Sequence, residues 1–168
     1  MSSTFRIRPA TIADAALCAA LYAPHVRHGT GSFEIEPPDA LAMAERIDRV
    51  LSRGWPWLVR ETADGRMLGY AYATQFRDRA AYAATAETSV YVAEGEGRRG
   101  HGRALMEALL EAARAAGFQN FLAVVGDSGN VASLALHWAL GFREVGTLRG
   151  VGRKFGRALD VVILQRNS

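Results

Sequence analysis

The chain has 168 residues and a formal charge of +3, with 49% hydrophobic and 22% charged side chains, a composition that supports a buried core and excludes a disordered chain. The positive excess is local: residues 143–168 carry +4 and residues 1–142 sum to −1, which argues against a nucleic-acid coat and for one or two anion sites. A single cysteine, Cys18, excludes a disulfide framework or a cysteine-rich zinc module, and no apolar run approaches the roughly 18 residues of a membrane span.

The opening MSSTFRIRPA lacks the basic start, apolar run and cleavage site of a signal peptide, so a cytoplasmic location is expected. Alternation over Phe5–Arg8 predicts a first strand, and Thr11 with Asp14 three residues on predicts a capped helix ending near Pro24. A loop over 29–38, with two glycines and two prolines, precedes a helix over 39–53. Trp57–Glu61 and Met67–Thr74 read as a hairpin around Ala63-Asp64-Gly65. An arginine-bearing loop at 75–84 leads to a strand at 85–92. Glycine-rich 95–102 then opens a helix at about 102–116, stopped by Gly117. Strand 119–125, helix 130–140 and a final strand pair at 142–149 and 159–165 follow, with Gly150–Gly156 as the loop between that pair. No repeat or linker divides the chain, so residues 1–168 are expected to form one α+β domain.

Gly95-Glu96-Gly97-Arg98-Arg99-Gly100-His101-Gly102-Arg103 lies between a strand and a helix. Glycines let backbone N–H groups approach an anion, and a helix N-terminus adds about half a unit of positive charge. The segment is not a P-loop, since no Gly-Lys-Ser/Thr follows. It is also a poor dinucleotide fingerprint, lacking the acidic residue about 20 positions on. A pyrophosphate-bearing ligand other than NAD or ATP fits it better.

The strand Val90-Tyr91-Val92, the loop with Gly100-His101-Gly102, Asn130, and the run His137-Trp138-Ala139-Leu140-Gly141-Phe142 resemble the GCN5-related N-acetyltransferases. Trp55–Val59, Gly69–Ala73, Thr85–Val92 and Gly152–Arg157 are similar to segments of its phosphinothricin/methionine sulfoximine N-acetyltransferases, and the likeness covers nearly the whole chain. One departure is Gly97, which stands where that family usually has Arg or Gln. The resemblance implies a central, mostly antiparallel twisted sheet with helices on both faces. It also implies acetyl-CoA as co-substrate, with its pyrophosphate on the loop (Arg98, Arg99, Gly100, His101, Gly102, Arg103), its acetyl carbonyl at backbone N–H groups of Val90, Tyr91 and Val92, and its pantetheine amide at Asn130, with Ser133 nearby.

Amine acetylation needs a neutral nucleophile, a polarised thioester and a protonated leaving thiol. Glu87, Ser89 and Tyr91 share one strand face by period 2. The resemblance implies Glu87 as general base and His137 as the acid for the departing thiol. Arg77 and Arg79, flanking Asp78, suit capture of a carboxylate or phosphinate. Phe33 and Tyr82 are candidate pocket walls, and Thr88 and Ser89 candidate substrate contacts. His25 and His28 have no third partner at metal-ligand spacing, so no metal is expected. Cys18 reads as core. The basic run 149–157 has one interleaved aromatic, too few for an RNA platform.

The implied enzyme acetylates the α-amine of a small amino-acid analogue of the phosphinothricin, methionine sulfoximine or methionine sulfone type, the basis of herbicide resistance. A homodimer is implied, and no nucleic-acid or membrane partner. The alternatives are a protein or peptide N-acetyltransferase and a non-catalytic acyl-CoA-sensing module.

Overall fold

The computed structural model describes residues 5–168; the signal-peptide reading rests partly on residues 1–4, which lie outside that range. The elements run β1 (Phe5–Pro9), α1 (Ala15–His28), α2 (Ala40–Leu51), β2 (Trp57–Thr62), β3 (Met67–Gln75), β4 (Thr85–Val92), α3 (His101–Ala115), β5 (Asn120–Gly126), α4 (Val131–Ala139), β6 (Arg143–Lys154) and β7 (Arg157–Asn167). Seven strands form one sheet in the order β1-β2-β3-β4-β5-β7-β6. Every neighbouring pair is antiparallel except β4–β5.

Alternating side chains give each sheet face its own core. On one face α1 and α2 bury Tyr22, Val26, Met43 and Ile47 against Trp57, Val59 and Tyr70. On the other, Leu105, Met106, Leu109 and Leu110 of α3 pack on Ala71, Ala73, Ala86 and Phe121, joined by Leu134 of α4 and Phe142. The apolar i, i+4 and i+5 spacing of α3 (Leu105, Leu109, Leu110) produces this layer.

Two boundaries differ from expectation. The first helix runs through Pro24 to His28. Proline removes one internal hydrogen bond, yet Tyr22 and Val26 on either side are buried, and their packing holds the helical path. At its start, the Asp14 carboxylate accepts from Thr11 N–H at 2.8 Å, but Thr11 caps a 3₁₀ turn over Ile12–Asp14 rather than α1 itself. The second difference is in the expected loop 150–156, of which 150–154 is strand. β6 reaches Lys154 and turns at Phe155-Gly156, and Gly150 (φ 63°) is absorbed where the register shifts between Leu148 and Gly152. Glycine there marks a bulge.

The feature that positions the site is a split in the sheet. β4 and β5 pair only from Thr85↔Asn120 to Thr88↔Ala123, whereas β3 follows β4 as far as Val92. From Ser89 onward the β5-facing edge of β4 has no ladder partner among the described residues.

Candidate active site

Glu87, Ser89 and Tyr91 face the α1/α2 side, opposite Thr74, Tyr72 and Tyr70 of β3. Glu87 is partly buried, and desolvation raises its carboxyl above the ordinary range while the Arg77 guanidinium pulls the other way. A carboxylate raised in this way is a stronger base than an exposed one. Thr88 is a correction: period 2 turns it to the opposite face, where it is buried and its hydroxyl donates to Leu122 O at 3.3 Å. It is a sheet residue and does not share the face of Glu87.

Two cavities of about 360 Å³ each flank this strand. One lies among Arg77, Asp78, Arg79 and Tyr82. Its loop is shaped by Gln75, whose side-chain amide donates to the carbonyls of Arg77 and Arg79 at 2.5 and 3.1 Å. Phe76 lies under the Arg77 guanidinium at 4.9 Å and edge-on to Tyr82 at 5.8 Å. The other cavity opens at the β4–β5 split and is walled by Phe33, Glu34, Tyr91, Val124 and Val161. Its acid is anchored: Glu34 accepts from Arg46 and from the Tyr22 hydroxyl, and Arg46 holds its carboxyl below the usual range. Tyr72, half-buried on the same face, feels the charges of both Glu87 and Glu34.

At the glycine loop, where an anion site is expected, the backbone is open. Gly100 (φ 81°) precedes α3 and has no side chain to cap its first turn, and none of the described residues comes within 4 Å of a Cβ placed at Gly97 or Gly100. Uncapped N–H groups with open space above them fit a pyrophosphate. The side chains differ in role. Arg98 is exposed and adopts φ 62°. Arg99 pairs with Glu96 at 3.2 Å and Arg103 with Glu107 at 2.9 Å. The His101 imidazole is a second correction: it is 2% exposed, takes Arg60 Nε–H on Nδ1 at 3.0 Å and lies edge-on to Phe5. Only its backbone N–H remains for a ligand.

Asn130 caps α4, its Oδ1 accepting from Ser133 N–H at 3.3 Å, and its Nδ2 lies 3.1 Å from a Cβ placed at Gly31. His137, one turn beyond Ser133, is 3% exposed. Its Nδ1 must carry the proton, because its partner at 2.7 Å is the Ser133 carbonyl. Burial lowers its pKa, so the resting ring is neutral and Nε2 is an acceptor.

Several residues on this face were not anticipated. Glu34, Tyr22, Tyr72 and Arg46 come from four separate elements, and Lys154 reaches the same loop from β6; no local spacing links them. His25, dismissed as a metal ligand, donates from Nε2 to Val92 O at 2.8 Å, bracing the end of β4. The metal expectation has no counterpart to weigh: among the described residues no cluster of three His, Cys, Asp or Glu is close enough to hold an ion.

Residues 7–163 match the acetyltransferase (GNAT) domain family. The chain is 49% identical over 153 residues to a phosphinothricin N-acetyltransferase of Alcaligenes faecalis, covering 91% of this chain and 77% of that protein. It is 38% identical over 161 residues to an L-methionine sulfoximine/L-methionine sulfone acetyltransferase of Pseudomonas aeruginosa, covering 96% and 93%. Among solved structures, a phosphinothricin acetyltransferase of the GNAT superfamily from Sinorhizobium meliloti, in complex with acetyl-CoA, superposes with a TM-score of 0.93 at 35% identity, covering 99% of this chain and 89% of the other.

Proposed function

The chain belongs to the GNAT acetyltransferase family and is an acetyl-CoA-dependent N-acetyltransferase; from that premise we propose that its acceptor is the α-amine of a small amino-acid analogue such as phosphinothricin, methionine sulfoximine or methionine sulfone. The observation that carries the reading is the position of Glu87 on a strand between two cavities of unlike character, one in the preceding loop bearing Arg77 and Arg79, and one at the split walled by Phe33, Val124 and Val161 with the arginine-paired Glu34. The arginines take the substrate carboxylate, and the cavity at the split takes its side chain. Tyr82 and Asp78 border the first cavity and Phe33 the second, while Ser89 shares the strand face of Glu87.

Acetyl-CoA, when bound, supplies the acetyl group as a thioester, whose C–S bond breaks as the amide C–N bond forms. Uncapped N–H groups at the start of α3, with Arg98, Arg99 and Arg103, would hold its pyrophosphate, and Asn130 and Ser133 would meet the pantetheine. Glu87 takes a proton from the substrate ammonium, directly or through one water. The unpaired edge of β4 at Val90–Val92 offers N–H groups to negative charge growing on the acyl oxygen. His137 serves the departing sulfur as acid only after Nε2 has gained a proton. Direct transfer is supported by the state of the single thiol: Cys18 is fully buried, and desolvation pushes it up to about 12, which removes it as a nucleophile.

The test is thiol release from acetyl-CoA against methionine sulfoximine, methionine sulfone, phosphinothricin, ordinary amino acids and peptides, with wild type and Glu87→Gln. Release with the analogues, lowered about 10²–10³-fold in the variant, supports the proposal. Activity on peptides alone, or acetyl-CoA binding without release, overturns it in favour of a protein acetyltransferase or an acyl-CoA sensor. A kcat that climbs steadily with pH above the ordinary imidazole range removes the acid role of His137.

One sheet runs from β1 to β7, which supports reading residues 1–168 as one domain. We further propose a homodimer formed through β6, where Val145, Leu148 and Val151 are exposed.

A further inference from the structure

Lys154 is the one lysine among twenty basic residues, and it is inside the protein. It ends β6, is 4% exposed, and donates from Nζ to the carbonyls of Gly29 and Ser32, both at 2.8 Å. Glu34 is the carboxylate whose charge acts on it, but Glu34 is paired with Arg46. Burying an ammonium against two carbonyl dipoles is costly, and a hairpin end needs no such group. A compact ammonium with tetrahedral donors can serve two carbonyls that a flat guanidinium meets poorly.

The segment between those carbonyls leads directly into the wall of the cavity at the split. Ser32 and the Tyr22 hydroxyl lie 2.6 Å apart. The Phe33 ring fills a slot that glycines leave open: a Cβ at Gly152 would lie 2.2 Å from the ring, and one at Gly126 2.8 Å. Glu34 follows, fixed by Arg46. The lysine therefore draws the loop from β6 on one side, and the glycine slot receives its aromatic on the other.

We propose that Lys154 is a positioning residue for the acceptor: it holds the 29–34 loop closed on the cavity, so that Phe33 and Glu34 meet the substrate side chain as a preformed wall. The inference rests on the reading of that cavity as part of the acceptor pocket. The pyrophosphate anchor of acetyl-CoA, at the start of α3, is on a different element, and Gly31, beside Asn130, is the point where the loop adjoins the pantetheine contacts.

The experiment uses Lys154→Met, which keeps most of the stem and loses the donors, and Gly152→Ala, which displaces Phe33 and leaves the ammonium in place. Melting curves establish that each is folded. Both are expected to raise the acceptor KM about tenfold, the loss of roughly one charged hydrogen bond. The rise should be equal for methionine sulfone and phosphinothricin, with kcat and the acetyl-CoA dissociation constant changed less than about threefold. A folded variant of either kind with an unaltered acceptor KM overturns the proposal. So does an equal loss of acetyl-CoA affinity, which would assign the loop to the donor, and so does a loss confined to phosphinothricin, which would make the lysine a direct charge contact. A wild type that acetylates no amino-acid analogue removes the functional reading itself, before any variant is compared.

Discussion

At Glu87 the burial that strengthens the base works against the fold. Its folded carboxyl titrates above the ordinary 4.5, so the neutral form is the one the folded chain prefers. For a carboxyl shifted upward, the stabilisation is complete below the unfolded pKa and is lost as pH rises through the folded one. Above that window the folded state holds an ionised group with less solvation than the unfolded chain gives it, a penalty that Arg77 only partly offsets. Glu87→Gln removes the charge and keeps the shape. It is expected to melt above the wild type at about pH 8 and to match it near pH 4, where both side chains are neutral. Scanning calorimetry at the two pH values checks this, and a variant that is less stable at the higher pH would show that the carboxylate is satisfied in the resting protein. The same residue then loses activity and gains stability, the pattern of a group held ready for chemistry.

At the scale of elements, the loop between β4 and α3 carries its own strain. Arg98 is a non-glycine residue at φ 62° while Gly97, beside it, is not in the left-handed region. An L side chain there costs roughly 1–2 kcal/mol, and glycine would relieve it at some expense in chain entropy. Arg98→Gly is therefore expected to leave the melting temperature unchanged or about 2 °C higher. If the guanidinium meets the pyrophosphate, the same variant raises the acetyl-CoA dissociation constant about fivefold, the worth of one exposed charge contact. Equilibrium titration reads the second quantity, and unchanged affinity would limit Arg98 to a backbone role. This loop, its strand and its helix could be read from the chain because their signals are local: a period-2 face, glycines, an apolar helical stripe. The orientation of Thr88 was also readable, since parity alone separates it from Glu87. The course of 150–154 was not, because glycines that signal a loop in isolation are held as a bulged strand by pairing with β7. The wall of the cavity was hidden for a different reason: Tyr22, Glu34, Arg46 and Lys154 become neighbours only once helices, loop and hairpin have packed.

At the scale of the molecule, β6 is the outermost strand and twelve residues long. Long open edges invite pairing with another chain, and this one exposes Val145 (62%), Leu148 (49%) and Val151 (59%), continued by Phe155 (56%) in the turn. The bulge between Leu148 and Gly152 interrupts the edge, and Arg143, Glu144, Arg149 and Arg153 place charges along it. Those devices discourage indefinite stacking but leave the apolar side chains uncovered. A second copy related by a two-fold axis covers them with the same patch and closes the assembly; a stable pair needs about 800 Å² from each partner. Phe155 lies 5.2 Å from the Lys154 ammonium, so such a contact adjoins the residue that fastens the acceptor loop. Sedimentation equilibrium is expected to give about twice the chain mass of 18.2 kDa. Val151→Asp, a charge placed on an exposed position with no core contact to lose, is expected to give the monomer with an unchanged fold. A wild type that sediments as a monomer at all concentrations would leave the patch without a partner copy and sink the dimer. If the dimer stands, the monomeric variant should also show a raised acceptor KM, because the hairpin end that carries Lys154 is then less firmly held.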